Sequence, residues 1–294
     1  MSAILVKLYY ISVVSIGDHT KSDNFDDNLP STVTLLHGEK GAKLYLIGTA
    51  HFSQESQDDV SKVIQAVKPH IVVVELCKSR ASILRMDEET IKEEAKNLTF
   101  EKMRMTIKEN GVLQGLMYLL LLNLSAQLTR DLGRAPGGEF RRAFAEVRKV
   151  PGCRLHFGDR PIQVTLKRAL GVLSWWQCMR LTWSLVFQKQ KISAEDVEKC
   201  KQSDLLESML KEMKVDFPEL GDVFVRERDI YLTYSLQLAT NCQLVPHGML
   251  TEPTVAVGVV GIGHTPGIRE LWGKVEDEDI PPIMVYVTLF SDYS

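Results

Sequence analysis

A chain of 294 residues with 45% hydrophobic and 25% charged side chains has a globular composition and room for one large core. Its formal net charge of -3, with both signs interleaved, leaves no basic face and argues against a nucleic-acid partner. The five cysteines (Cys77, Cys153, Cys178, Cys200, Cys242) are scattered and form no C-x-x-C pair, which excludes a disulfide framework or thiolate zinc site and fits a reducing, cytoplasmic setting.

The chain opens on an apolar run over residues 1–17 that Lys7 interrupts and no small-residue cleavage site follows. It reads as a short strand or a loosely attached tail rather than a signal peptide. Residues 18–30 are acidic and poor in large apolar side chains. The expected organisation is therefore a flexible segment over 1–31 and one domain over 32–294.

Residues 32–37 and 43–48 are β-rich runs around Gly38-Glu39-Lys40-Gly41, the pattern of a hairpin. Residues 53–67 carry a helical period through Val60, Val63, Ile64 and Val67, which Pro69 stops. Residues 70–76 hold the continuous run Ile71-Val72-Val73-Val74, as in a strand covered on both faces. Strand, helix and strand at this spacing form a βαβ unit, so its two strands should be parallel.

Residues 80–133 are helical by pattern, and Ala135-Pro136-Gly137-Gly138 turns sharply into another helix over 139–150. Within the first region, residues 112–128 are strongly apolar but contain Gln114, Asn123, Ser125 and Gln127. A spanning helix needs about twenty mostly apolar residues, so a buried helix is expected and no transmembrane segment. Residues 153–158 are a short strand, and a second helical region runs over 165–242. In it, residues 172–187 read as an amphipathic helix. Core burial is the expected place for Trp175, Trp176 and Trp183, and a protein or lipid contact surface is the alternative. Residues 254–261 form a fully apolar strand, a helix starts near Pro266, and a last strand covers 283–289. The whole is an α/β fold, a central mixed sheet with flanking helices and a large helical insertion.

Polar residues stand directly after the apolar strands. Leu44-Tyr45-Leu46-Ile47 runs into Gly48-Thr49-Ala50-His51, and Val257-Gly258-Val259-Val260 runs into Gly261-Ile262-Gly263-His264. Each is a buried strand, a turn glycine, and a histidine three residues after it. Glu75 ends the valine run, and Asp159-Arg160 follows Leu155-His156-Phe157-Gly158. Ligands of open α/β sheets bind outside the carboxyl ends of the strands, so His51, Glu75, Asp159, Arg160 and His264 should share one edge. A structural salt bridge from Glu75 to Arg80 or Arg160 stays open, as does a helix-capping turn at Asp159-Arg160-Pro161. On the helix over 217–242, Leu220, Val223, Phe224, Ile230, Tyr231, Tyr234 and Leu238 share a face at about 100° per residue. Glu227 falls in its middle, Arg228 on its margin, and Arg226 and Asp229 point away. An acid on that face needs a partner, either a basic residue or a metal site.

Several blocks in order resemble the TraB (pheromone-shutdown) family. They are Gly48-Thr49-Ala50-His51-Phe52-Ser53, Val73-Val74-Glu75-Leu76-Cys77 with Arg80, and Gly158-Asp159-Arg160-Pro161 with Thr165 and Arg168. Glu227-Arg228-Asp229 and the run from Val259 to Ile268 complete the set, which spans about residues 32–275. The resemblance implies kinship with the Tiki metalloproteases and with the erythromycin-esterase and ChaN folds. In the Tiki branch, paired G-x-x-H motifs and a glutamate serve metal-dependent peptide hydrolysis. By position this implies His51, Glu75 and His264 as ligands of a divalent Zn, Mn or Co ion, with Glu75 a ligand or the base that activates a bound water. Arg160 or Arg228 would stabilise an oxyanion, and Glu227 would orient one of them. The substrate expected is a peptide or small molecule. Eukaryotic relatives of this branch associate with the mitochondrial outer membrane through a hydrophobic segment that the residues up to Ser294 do not include. A non-catalytic adaptor that recruits a protein partner at that surface is the alternative, and an esterase-like hydrolase using His as a metal-free base is a third.

Overall fold

The computed structural model describes residues 23–50, 53–84, 137–174, 176–177, 218–241 and 253–285. Its strands are β1 (Val33–His37), β2 (Lys43–Thr49), β3 (Ile71–Val74), β4 (Arg154–Phe157) and β5 (Val255–Gly261). Its helices are α1 (Asp23–Asp26), α2 (Gln54–Val67), α3 (Gly138–Val147), α4 (Ile162–Val172), α5 (Pro218–Gly221), α6 (Glu227–Thr240), α7 (Thr265–Leu271) and α8 (Ile280–Met284). A π-helical turn over Asp222–Arg226 joins α5 to α6. Most of the two long helical regions read from the sequence, and with them the insertion, lies outside the described residues. So do His51, Trp175 and Trp183.

The strands form one sheet in the order β1-β2-β5-β3-β4. β1 pairs antiparallel with β2 as the expected hairpin, and the other pairings are parallel, so the sheet is mixed and the fold is α/β. β2 and β3 run in the same direction, as their spacing with α2 requires, yet they are not neighbours. β5, from far along the chain, lies between them and pairs with both. Its run Val255-Ala256-Val257-Gly258-Val259-Val260 suits a strand covered on both faces, which is the condition for a central place in a parallel sheet.

Side chains alternate across the pleat and feed two layers. Tyr45, Ile47, Val72, Val74, Val257 and Val259 pack under α2 and α3, against Val60, Val63, Ile64, Phe140, Ala143 and Val147. Leu44, Leu46, Ile71, Val73, Ala256 and Val260 pack under α6 and α7, against Leu232, Leu236, Ala239 and Ile268. Gly258 lets α6 approach closely, because a Cβ there would stand 2.8 Å from the Leu236 side chain. α2 starts where the Ser53 hydroxyl accepts the Ser56 N–H at 3.2 Å, and Lys68 ends it in the left-handed region at φ 43°.

Four readings from the sequence change. α1 lies inside the lead-in expected to be flexible, where Asp26 accepts hydrogen bonds from Lys43 Nζ and the Tyr45 hydroxyl, both at 2.6 Å. Tyr45 is fully buried, so its hydroxyl needs such an acceptor. The last strand is not seen at its start: Ile283 and Met284 belong to α8, whose first turn carries Pro281-Pro282 with the φ a helix needs. Residues 286–289 lie outside the described residues. Trp176 is 75% exposed rather than in the core, because α4 ends at Val172 and Leu173 turns to extended backbone.

The helix face read over 217–242 is also displaced. The buried residues of α6 are Asp229, Leu232, Thr233, Ser235, Leu236, Ala239 and Thr240, and Leu238 is exposed. In the π turn the Glu227 N–H reaches back to the Asp222 carbonyl, a span of five residues. The turn holds more than 3.6 residues, so every later side chain falls behind the phase set by Leu220 and Val223. Among the described residues, no helix is long and apolar enough to cross a membrane.

Candidate functional site

β5, β3 and β4 end side by side, and each delivers polar groups to the same edge. Glu75 directly follows β3, Asp159-Arg160 follows β4 and Gly158, and His264 closes a short 3-10 turn after β5. α6 supplies Glu227, Arg228 and Asp229 from its first turn.

A carboxylate ending a buried valine strand must be paired. Glu75 is 6% exposed, and its Oε2 accepts the Gly261 N–H at 2.6 Å. Its Oε1 is bonded by Arg228 Nη2 and stands 3.3 Å from His264 Nε2. Arg228 also holds Asp159, through Nε at 3.1 Å and Nη2 at 3.0 Å. Arg80 Nη2 reaches that same Asp159 from outside at 2.6 Å. On the far side, His264 Nδ1 lies 2.5 Å from Asp229 Oδ1. The result is a row of alternating charge: Arg80, Asp159, Arg228, Glu75, His264, Asp229.

The row fixes protonation. Burial by itself disfavours an imidazolium, but Glu75 and then Asp229 outweigh it and hold His264 up at about 9. Burial opposes the Arg228 charge too, and Asp159 and Glu75 overcome it. Arg228 Nη1 makes no hydrogen bond among the described residues.

A second cluster adjoins the first. Arg160 is fully buried and donates to Thr165 Oγ1 at 3.0 Å, Glu227 Oε2 at 2.5 Å, and the carbonyls of Val223 and Ile283, both at 2.9 Å. Arg168 grips both Glu227 oxygens, at 2.7 and 2.6 Å, and the Pro282 carbonyl at 2.9 Å. Burial pushes the Glu227 carboxyl up, and the bonds from Arg168 and Arg160 bring it below its ordinary value.

The edge expected from the strand ends therefore gathers Glu75, Asp159, Arg160, Arg228 and His264, with Glu227 beside them. Glu227 has two basic partners, Arg168 and Arg160, and of the two arginines it was expected to orient it bonds Arg160. Glu75 pairs with Arg228, in place of the Arg80 or Arg160 read from the sequence. Asp229, read as pointing away, is buried against His264; the π turn hides that placement from a fixed helical period. Arg168 gave no separate signal outside its motif. His51 lies outside the described residues, and the strand before it ends beside β5, with Thr49 paired to Gly261.

Among the described residues, no group of three His, Cys, Asp or Glu side chains is placed to hold a metal ion. Two of the three donors expected for one are nonetheless together. The 3.3 Å between Glu75 Oε1 and His264 Nε2 exceeds the roughly 2.7–2.9 Å of a charge-assisted hydrogen bond. Two donors about 2.0–2.1 Å from one tetrahedral ion stand about 3.3–3.4 Å apart, the separation of this pair; a cation there would replace the imidazolium proton and share Oε1 with Arg228 Nη2. The carboxylate on the other imidazole nitrogen is the usual companion of a metal-bound histidine.

The TraB/PrgY/gumN family pattern matches residues 33–281. The TraB domain-containing protein of Homo sapiens is 52% identical over 262 residues, covering 87% of this chain and 69% of that protein. Its Bos taurus counterpart is 52% identical with the same coverage. An uncharacterized protein of Methanocaldococcus jannaschii is 30% identical over 253 residues, 83% of this chain and 57% of that protein.

Proposed function

The chain belongs to the TraB/PrgY/gumN family, and on that premise we propose that it is a metal-dependent hydrolase of the peptidase kind. The observation that carries the reading is the approach of Glu75 Oε1 to His264 Nε2 at 3.3 Å, with Asp229 on the other imidazole nitrogen. Glu75, His264 and His51 are the residues that would hold a divalent Zn, Mn or Co ion, which supplies an acidified water as nucleophile.

The other residues have separable tasks. Arg228 donates Nη2 to Glu75 Oε1, and its guanidinium would stabilise the oxyanion of a tetrahedral intermediate. Asp159 holds that guanidinium in orientation through two bonds. Arg160 spends its bonds inside the protein, so with Glu227 it braces the turn beneath Arg228 rather than reaching the reacting atoms.

The test is elemental analysis of the purified full chain, followed by peptide-library cleavage with added Zn, Mn or Co. The expected result is bound metal and cleavage, both lost in His51→Ala, His264→Ala and Glu75→Gln. Metal content that stays the same in both histidine variants removes this mechanism, and cleavage insensitive to chelators points to the metal-free base instead. The exposure of Trp176 suits the second reading, a non-catalytic adaptor that recruits a protein partner. A pulldown that loses partners in Trp176→Ala but keeps them in His264→Ala supports that second reading.

A further inference from the structure

Asp229 is enclosed on every side that matters to its carboxylate. It is 6% exposed, and its Oδ1 lies 2.5 Å from His264 Nδ1. Its Oδ2 lies against Gly267, where a Cβ would stand 2.1 Å away, so the carboxylate occupies space that exists only because residue 267 has no side chain. Its carbonyl accepts the Thr233 hydroxyl at 2.7 Å, within the first turns of α6.

An imidazole has two nitrogens, and the hydrogen bond made by one decides what the other can do. With Nδ1 directed to Asp229, the His264 ring turns Nε2 toward Glu75 Oε1. A ring released from Asp229 could rotate about its own axis and offer Nδ1, or neither nitrogen, to that point.

We propose that Asp229 is the positioning residue of the site: it keeps a proton on His264 Nδ1 and fixes the ring, so that Nε2 presents its lone pair to a divalent cation beside Glu75. This assignment rests on the metal-dependent reading above. Asp229 touches neither cation nor substrate and acts only through His264.

The experiment titrates the full chain with Co(II), read by visible absorption, and with Zn(II) in competition, for wild type, Asp229→Asn and Asp229→Ala. Asp229→Asn keeps the shape and an acceptor oxygen but removes the charge, and it serves as the second variant if Asp229→Ala does not fold. The expected outcome is a roughly 10–100-fold weaker affinity in Asp229→Ala, the usual cost of losing such a partner, with a smaller loss in Asp229→Asn. Metal-free thermal melts accompany the titrations, since a merely structural Asp229 lowers the melting temperature and leaves the affinity of the folded protein unchanged. Wild-type binding with undiminished affinity in the folded variants overturns the role of Asp229 and leaves the metal site standing. No binding of Co(II) or Zn(II) by wild type overturns the metal reading itself, and this assignment with it.

Discussion

Arg228 is the only cation between Glu75 and Asp159 among the described residues, which makes Arg228→Met the most informative single change. The substitution keeps an apolar stem and removes three bonds, Nη2 to Glu75 and Nε and Nη2 to Asp159. Neither acid is wholly abandoned: Glu75 keeps the Gly261 N–H and His264, and Asp159 keeps Arg80 and the Arg160 N–H. Removing one partner of a buried pair costs about 3–5 kcal/mol, and the surviving partners put the expected loss near the lower end, about 3 kcal/mol. At about 2.1 cal/mol/K per residue, a chain of 294 residues unfolds with an entropy of about 0.6 kcal/mol/K, so the melting temperature should fall by about 5 °C. Scanning calorimetry of metal-free protein measures this. A double-mutant cycle makes it specific. Glu75→Gln in the Arg228→Met background removes a charge that has already lost its arginine, so the two losses should sum to about 1–3 kcal/mol more than the double variant shows. Arg228→Met melting within about 1 °C of wild type, or losses additive within about 0.5 kcal/mol, would refute the view of Arg228 as the pin of the row.

The Glu227 carboxyl is held below its ordinary 4.5 by Arg168 and Arg160 against the effect of burial, so its contribution to stability is full above that value and is lost as pH falls through the folded-state value. The difference in melting temperature between wild type and Glu227→Gln should be constant near neutrality and shrink below about pH 4.5. A Cβ at Gly158 would stand 2.4 Å from Val73 Cγ1, and Val73 is fully buried in a central strand. Gly158→Ala should therefore cost about 1–3 kcal/mol by overpacking, read as a lowered melting temperature. Burial pushes the Cys153 thiol up to about 12, so a thiol reagent at mildly alkaline pH should leave it unlabelled in the native protein and label it after unfolding, as peptide mass spectrometry reports.

Legibility differed between strands and helices for a physical reason. A strand buried on both faces announces itself as a short apolar run, so β2, β3 and β5 could be read directly, and with them the polar residues at their ends. The edge carrying Glu75, Asp159, Arg160 and His264 followed from one rule about open α/β sheets. Partner identity did not. Glu75 could be seen to need a partner, but the sequence pointed to Arg80 or Arg160, and the arginine that pairs with it is Arg228. α6 was misphased because a fixed period cannot register a π turn. That single irregularity carried Asp229 from the expected outer face to the His264 ring.

Sequence alone thus determined the class of fold and the family, and it placed Glu75, Asp159, Arg160 and His264 at the sheet's carboxyl edge, because hydrophobic runs and turn glycines are local properties. Only the tertiary structure decided that β5 enters between β2 and β3, that Arg228 bridges Glu75 and Asp159, and that Asp229 backs His264. Those outcomes depend on the packing of segments far apart in the chain, and on an extra residue in one helical turn, neither of which leaves a periodic trace in the amino-acid order.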